Sequence, residues 1–313
     1  MPDPAAPLDS PSGTGAAREA VAPPRRSAVG RLLSRLLGPS PEPADWNKAI
    51  AHGEGEGLFG PGSAVWAVNG ANSTMVAGIR ALLLQTLHPG AMAGVHDWSR
   101  YREDTMGRLD NTVRWVLTTT FGDREAAVSV SRWVGGMHRK VVGEYEDARG
   151  AVQPYAAADP RLLTWVHVAF TEAFLGAHLI WGGPIPGGPD AYVREWARSG
   201  ELLGATDLPT TVAELRAAMT GFGREMKSDE RVREAVVFLS KPPLPANWRF
   251  PYRILFAGAV ASLPRDYRRL LGLRRPAWPA ITVTRVFLWL VAQLTGPVSQ
   301  SERFARQRLS RAR

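Results

Sequence analysis

The sequence of 313 residues contains no cysteine. Disulfide bonds, zinc–thiolate sites, iron–sulfur clusters and cysteine nucleophiles are therefore excluded, and any metal must be held by His, carboxylate or Tyr. Because free and paired cysteines are both missing, the sequence fits a reducing compartment, and we expect a cytoplasmic protein. Alternating apolar and polar residues, the pattern of a half-exposed strand, are almost missing as well, and only 64–68 has the composition of extended chain.

Several enzyme signatures are also missing. The sequence has no Gly-x-Ser-x-Gly elbow, no zinc-hydrolase motif and no pair of Glu-x-x-His motifs of the kind that builds a di-iron bundle. The glycine-rich stretch 53–62 lacks the Gly-Lys-Ser/Thr ending of a phosphate loop. The usual hydrolase and nucleotide-binding functions thus have no support, and the six histidines become the main candidates for a site.

Positive charge is concentrated at the two ends of the chain. The net charge is +9, and the arginines cluster in 25–35 and in 303–313, whereas the centre is close to balanced. We interpret this as a basic tail over 1–44, one folded domain over 45–300 and a second basic tail over 301–313. Such a distribution does not predict a nucleic-acid groove, but basic tails are able to contact a membrane surface at its periphery.

Two segments were tested as targeting or membrane elements. Arg25 and Arg26 are not followed by a continuous apolar run, because Arg31 and Arg35 interrupt it, so the segment predicts a short basic amphipathic helix and not an export signal. The apolar segment 278–296 carries Arg285 at its centre. A central Arg is costly in a membrane, so we predict a buried C-terminal helix there, with peripheral membrane contact as the alternative.

The remaining pattern predicts an all-α protein, a single helical domain. Apolar residues at three- and four-residue steps predict a long amphipathic helix over 124–147. Asp159-Pro160 is a strong helix start, with a helix running to about 180. Further helices are predicted over 64–87 with a break at Asn69-Gly70, and over 111–121, 191–200, 212–225, 252–263 and 280–294. The stretch 242–251 is predicted to be an irregular connection.

Two histidines lie on apolar faces of these helices. His138 has Val134 and Val141 as its helical neighbours, and His167 lies within Trp-Val-His-Val-Ala-Phe. Such an imidazole is either a core histidine that is hydrogen-bonded to a neighbour or an axial ligand of haem, which needs one neutral imidazole in an apolar slot. Periodicity does not separate these alternatives.

The segment 107–112 places a basic residue, an amide and a hydroxyl just before an apolar helix. In one interpretation it caps the helix and Arg108 is solvated. In the other, Arg108 meets an anionic group, while Asn111 and Thr112 face a pocket.

Several motifs, taken in order, resemble one known family, that of the latex-clearing rubber oxygenases and the MpaB oxygenase of mycophenolic acid biosynthesis. The resemblance covers about 58–275. It is carried by 84–95 (LQTLHPGAMAGV), 96–101 (HDWSRY) with 107–112 (GRLDNT), 121–122 (FG) with 137–143 (MHRKVVG), 155–160 (YAAADP) with 163–167 (LTWVH), and 263–265 (LPR) with 271–273 (LGL).

The resemblance implies a globin-like core around haem b, with molecular oxygen as co-substrate. It implies that His138 binds the iron, that Arg108 and Thr112 lie at the haem pocket, and that His167 is a further pocket histidine. Arg is suited to a haem propionate or to orienting oxygen. A hydroxyl or amide near the bound oxygen helps decide between its storage and its activation.

The sequence departs from the rubber oxygenases at two positions. They carry a Lys immediately before the Thr, where this chain has Asn111, a much weaker iron ligand. Their proposed acidic base has no clear equivalent, with Asp97 and Glu103 as loose candidates. With no export signal either, we expect an apolar, isoprenoid- or lipid-like small molecule as substrate in place of polyisoprene.

Three functions remain open at this point. The first is a haem b-dependent oxygenase, in which His138 holds the iron, Arg108 and His167 shape the pocket, and Asn111 and Thr112 lie near the oxygen. The second is a haem-binding sensor or carrier without turnover. The third is a metal-free helical binding protein in which the histidines belong to the core.

Overall fold

The computed structural model of the protein describes residues 44–98, 105–296 and 298–311, with the side chains of 97–109 outside the description. Almost all of the predicted N-terminal tail, 1–44, lies outside the described residues. The described part is all-α as predicted, with fourteen helices and one two-stranded sheet. The globin-like core stays a prediction.

The elements are named here in chain order. The helices are α1 Asp45–Ala49, α2 Ala64–Asn69, α3 Thr74–Gln85, α4 Pro89–Trp98, α5 Thr105–Phe121, α6 Arg124–His138, α7 Pro160–Trp181, α8 Gly188–Glu201, α9 Val212–Phe222, α10 Glu230–Ser240, α11 Ala246–Ser262, α12 Arg265–Leu270, α13 Ala280–Thr295 and α14 Gln300–Arg311. The strands β1 Val142–Glu146 and β2 Val152–Ala156 pair antiparallel between α6 and α7.

Helix α7 runs through the centre of the fold. It begins as predicted, because the Asp159 side chain accepts hydrogen bonds from the Arg161 and Leu162 backbone N–H groups and Pro160 occupies the first turn. It packs against α2, α3, α8, α9 and α11. Its length and apolar composition alone would allow it to cross a membrane, but 72% of its most apolar window is buried inside the fold. We therefore describe α7 as the core helix.

A buried ion pair joins α7 to two neighbours. Arg80 of α3 is almost fully buried and donates from Nη2 to Glu172 Oε1 at 2.8 Å and from Nη1 to the Ser262 carbonyl at 2.6 Å. Gly176 of α7 leaves the room for this side chain, since a Cβ there would lie 2.5 Å from Arg80 Nη2. One guanidinium thus ties together α3, α7 and the end of α11.

The predicted helix over 124–147 is wrong in its second half. The helix ends at His138, and the chain continues as the β1–β2 hairpin. The hairpin is closed by a turn in which Asp147 Oδ1 accepts hydrogen bonds from the Arg149 and Ala151 N–H groups, while Gly150 has φ 83°. Apolar residues at 141 and 145 fit a helical period and a strand period alike, so periodicity did not reveal the change.

Other segments differ from prediction for similar reasons. The stretch 242–251 is not irregular, because α11 begins at Ala246 and accommodates Pro251 within its second turn, where only one backbone hydrogen bond is lost. Segment 64–68 is helical, not extended, with its start capped by the Ser63 hydroxyl. The predicted tail 301–313 forms most of α14, and buried Arg308 donates to the Ile50 and Phe121 carbonyls. Because this segment is highly charged, its sequence did not reveal that one side of the helix packs against the core.

Replacing Glu172 tests how far the fold depends on the buried ion pair. Glu172→Gln leaves the Arg80 guanidinium buried without its carboxylate, so the free energy of unfolding in urea should fall by about 3–5 kcal/mol. As a matched control, Glu230→Gln breaks the exposed ion pair with Arg233 and should cost about 0–1 kcal/mol. Equal losses in the two variants would contradict a special role for Arg80.

Candidate functional site

Helices α5 and α6 form an antiparallel pair with a fixed register. They are joined by a short connection in which Asp123 caps α6, accepting from the Ala126 N–H at 2.7 Å. Trp115 of α5 donates from Nε1 to Ser131 Oγ of α6 at 3.1 Å. One residue further out, the Arg114 guanidinium lies 5.4 Å from the centre of the Trp133 ring. These contacts fix which residues of the two helices face each other.

The register brings four of the five predicted site positions together. His138 lies seven residues, or two helical turns, after Ser131, and therefore on the face of α6 that meets α5. Position 108 lies two turns before Trp115, on the face of α5 that meets α6. The positions of Arg108 and His138 are therefore opposite each other across the pair, and Asn111 and Thr112 lie one turn nearer the connection, opposite 134–135.

This end of the pair is open. Asn111 and Thr112 are exposed and His138 is half-buried, although all three belong to facing sides of packed helices. At the other end, 118–121 is buried. The apolar side chains of Met137 and Val142 are also left 38% and 52% exposed beside the imidazole. This partly exposed region where α5 meets α6, called the cleft below, presents one imidazole, an amide, a hydroxyl and several uncovered apolar groups.

Helix α4 and the hairpin form a wall beside the cleft. Val141, which follows His138 by three residues, packs with Tyr155 of β2 around Ala93 and Leu162 in a small second core. Gly94 of α4 lies beside this cluster, since a Cβ there would be in ordinary van der Waals contact with a Val141 methyl at 3.6 Å. This cluster fixes the chain immediately after His138, and helix α6 fixes the chain immediately before it.

The structure places His167, the fifth predicted residue, at the interface of α7 and α8. Its ring stacks on Trp196, with centroids 6.3 Å apart and planes at 16°. A Cβ on Gly200 would lie 2.7 Å from its Nδ1, so the ring fills the space between the two helices. Trp196 in turn contacts Trp115 of α5 at 5.8 Å between ring centroids. His167 is therefore connected to the cleft through two indole rings, and it does not lie in the cleft itself.

Burial sets the protonation state of His167. The side chain is completely enclosed, and desolvation lowers its pKa to about 4. Its Nε2 atom is buried without a hydrogen-bond partner. The imidazole is therefore neutral at physiological pH, whichever ring nitrogen carries the hydrogen.

A second histidine cluster was not identified as functional from sequence. His88 is buried, accepts a hydrogen bond at Nδ1 from the Gly90 N–H at 3.2 Å, and places Nε2 3.3 Å from Glu225 Oε2. Glu225 also forms a short ion pair with Arg161, whose guanidinium covers the Phe222 ring at 4.8 Å. Burial lowers the pKa of His88. The cluster connects the start of α4 to α7 and to the end of α9. The His-Pro-Gly sequence at the start of α4 is the feature of the sequence that could have indicated it.

The donor set limits what kind of metal centre the chain can hold. Among the residues that the structure describes, no three His, Asp or Glu side chains lie close enough together to bind a bare metal ion. Haem brings four ring nitrogens of its own and asks the protein for one imidazole and an apolar surface. The cleft at His138 offers both, so its residues fit haem and do not fit a metal held by protein ligands alone.

Comparison with known proteins gives one match. Residues 66–294 match the family described as "ER-bound oxygenase mpaB/B'/Rubber oxygenase, catalytic domain". The match includes α5 and α6 and the three histidines His88, His138 and His167. No curated protein and no solved structure matches the chain.

The neutral state of His167 predicts a pH dependence of stability. Its pKa is lowered in the folded protein, so between about pH 6.5 and pH 4 the unfolded chain binds a proton that the folded chain does not. Stability should fall across this window, by about 3 kcal/mol from this residue at pH 4. His167→Gln should remove that part of the slope in urea titrations, while His52→Gln at an exposed position serves as the control. Parallel slopes for wild type and His167→Gln would contradict the assignment.

Proposed function

The chain belongs to the mpaB and rubber oxygenase family, and we propose that it is a haem b-dependent oxygenase acting on an apolar, isoprenoid- or lipid-like small molecule. The observation that supports this most is the register of α5 and α6. It places the position of His138 opposite that of Arg108 and about one turn from the positions facing Asn111 and Thr112, although the two groups are about thirty residues apart in the sequence.

His138 is the residue that would hold the iron. It is half-buried, lies on the inward face of α6, and is fixed on its C-terminal side by the Val141 cluster. Exposed apolar side chains around it, among them Val113, Met137 and Val142, would be covered by a flat apolar ring. Arg108 supplies the charge that suits a haem propionate, at the position facing His138.

When bound, haem would supply the redox chemistry by which molecular oxygen is activated. The chain's own contribution is to position and to hydrogen-bond. Asn111 and Thr112 offer an amide and a hydroxyl to the oxygen co-substrate, one turn from the level of His138. Asn111 would be a much weaker iron ligand than the Lys that it replaces, so the residues of this chain would leave oxygen access to bound haem. That difference favours an oxygen-using enzyme.

The surroundings of the cleft favour an apolar substrate. Exposed Met137 and Val142 lie close to His138 in the sequence, and neither Asn111 nor Thr112 carries a charge. Arg139 and Lys140 are exposed there as well, so a substrate with an acidic end group could also be held. A hydrocarbon chain would gain free energy from covering the apolar groups.

Absorption spectroscopy tests the haem ligand. The purified protein, reconstituted with haem, should show a Soret band, and His138→Ala should abolish or strongly shift it because the axial imidazole is lost. His52→Ala, which removes an exposed imidazole, is the matched control and should keep the band. No band in the wild-type protein would overturn the haem proposal. Loss of the band in His167→Ala alone would move the ligand to α7.

Oxygen consumption tests catalysis separately from haem binding. With unsaturated lipid or isoprenoid substrates the reconstituted protein should consume oxygen. Thr112→Val should slow this about five- to thirteenfold, because one hydrogen bond contributes about 1–1.5 kcal/mol, while the Soret band stays in place. Thr220→Val, on the exposed side of α9, is the control. A Soret band without substrate-dependent oxygen consumption would indicate a haem-binding sensor or carrier.

A further inference from the structure

Helices α11 and α13, in the C-terminal part of the chain, leave several large apolar side chains uncovered. The two helices pack directly, since the Thr284 hydroxyl donates to the Ile254 carbonyl at 3.2 Å and Gly258 lies against the same side chain. Four exposed apolar residues of the two helices are called here the α11–α13 face: Phe250 near the start of α11, and Val283, Val286 and Trp289 on α13. Trp248 is also exposed, but it lies two residues before Phe250 and so on another side of α11. Phe250 is 70% exposed and Trp289 is 52% exposed.

The exposed residues of α13 form one stripe. Val283, Val286 and Trp289 follow one another at three-residue steps and therefore lie along one side of the helix. The opposite side carries Thr284 and Leu288, which are buried against the fold. Exposed aromatic and branched residues in a row on one helix side are unusual for a surface that meets only water, and they indicate a surface that is covered in use.

The segment of the sequence that contains α11 and α13 carries charge almost entirely of one sign, and Arg249, Arg253 and Arg285 on the two helices are exposed. Residues 235–301 contain a single acidic residue, Asp266. The same segment contains nine basic residues: Lys241, Arg249, Arg253, Arg265, Arg268, Arg269, Arg274, Arg275 and Arg285. Neither α11 nor α13 contains any carboxylate. A partner that covers the face must therefore be apolar and anionic together.

The length of α13 does not favour a spanning role for this helix alone, although α13 and α14 together are long and apolar enough for a bent span. The 16 residues of α13 extend about 24 Å, which is shorter than the roughly 30 Å of a hydrocarbon core. Arg285, in the middle of the helix, donates from Nη2 to the Ile180 carbonyl at the end of α7. Helix α13 is thus held flat against the domain, with only its outer side available.

We propose that the α11–α13 face binds an anionic phospholipid membrane at its surface. Trp and Phe side chains partition into the interfacial layer, and Arg side chains pair with lipid phosphates above it, so the two kinds of residue on this face match the two layers that they would meet. A symmetric dimer through the same face is disfavoured, because it would bring two uncompensated basic surfaces together. The proposal is independent of the haem and of the substrate.

Vesicle flotation with the full-length protein tests the proposal. We expect binding to phosphatidylcholine vesicles that contain phosphatidylglycerol, weak binding to phosphatidylcholine alone, and a decrease as salt is raised. The Trp emission should shift to shorter wavelength on binding. No binding to either kind of vesicle would overturn the proposal.

Substitutions locate the binding surface. Phe250→Ser with Trp289→Ser should abolish flotation, and both side chains are exposed, so folding should be kept. Arg253→Gln should weaken binding roughly fivefold, the usual effect of one basic residue near an anionic surface. The matched controls are Val152→Ser, an exposed apolar position on the hairpin, and Arg216→Gln on α9, and both should bind as wild type does.

Two other outcomes would also overturn the proposal. If Phe250→Ser with Trp289→Ser still floats, while replacing Arg25, Arg26, Arg31 and Arg35 by Gln abolishes flotation, then the basic N-terminal segment binds the membrane instead. If ultracentrifugation shows self-association that the Phe250→Ser and Trp289→Ser pair abolishes, and no vesicle binding occurs, the face joins copies of this chain.

Discussion

The buried guanidinium of Arg80 constrains the arrangement of the core. A charge removed from water must be paired, and Arg80 is paired by Glu172 on α7 and by the Ser262 carbonyl at the end of α11. Three helices must therefore keep their mutual positions, with Gly176 providing the necessary gap. Because α7 is held in this way, α8 can stack Trp196 on His167, and the same indole meets Trp115 of α5. The position of the cleft helix thus follows from an ion pair at the centre of the fold.

The sequence predicted elements well where local chemistry and packing agree. Asp159-Pro160 specified the start of α7, because its cap needs no tertiary contact to form. Prediction failed where the same pattern fits two structures. The apolar spacing of 141 and 145 is compatible with helix and strand, and only the Asp147–Gly150 turn decides for the hairpin. The charges of 301–311 indicated a tail, whereas α14 buries Arg308 against carbonyls that are distant in sequence.

For the candidate site, motifs in the sequence suggested residues, whereas their spatial neighbours could not be predicted from it. His138, Arg108, Asn111 and Thr112 were chosen from motifs, and the facing arrangement of their positions depends on the Trp115–Ser131 register, which no local pattern states. His167 was chosen with them, but it is buried between α7 and α8 because Gly200 leaves room for its ring. The His88–Glu225–Arg161 cluster joins three elements and could not be read from any one of them.

The α5–α6 pair is buried at its connection and partly exposed at its other end. At the connection, the Asp123 carboxylate accepts hydrogen bonds from the Ala126 N–H at the start of α6 and from the Glu54 N–H, and Gly53 packs directly against it. The Arg308 guanidinium donates to the Phe121 carbonyl at the end of α5. From this connection to His138, helix α6 is about 22 Å long, so a rotation of only about 5° would displace the imidazole by about 2 Å. The separation of the two helices at His138 therefore depends on their packing at the α5–α6 connection, far from the imidazole, where the C-terminal helix α14 contacts the turn.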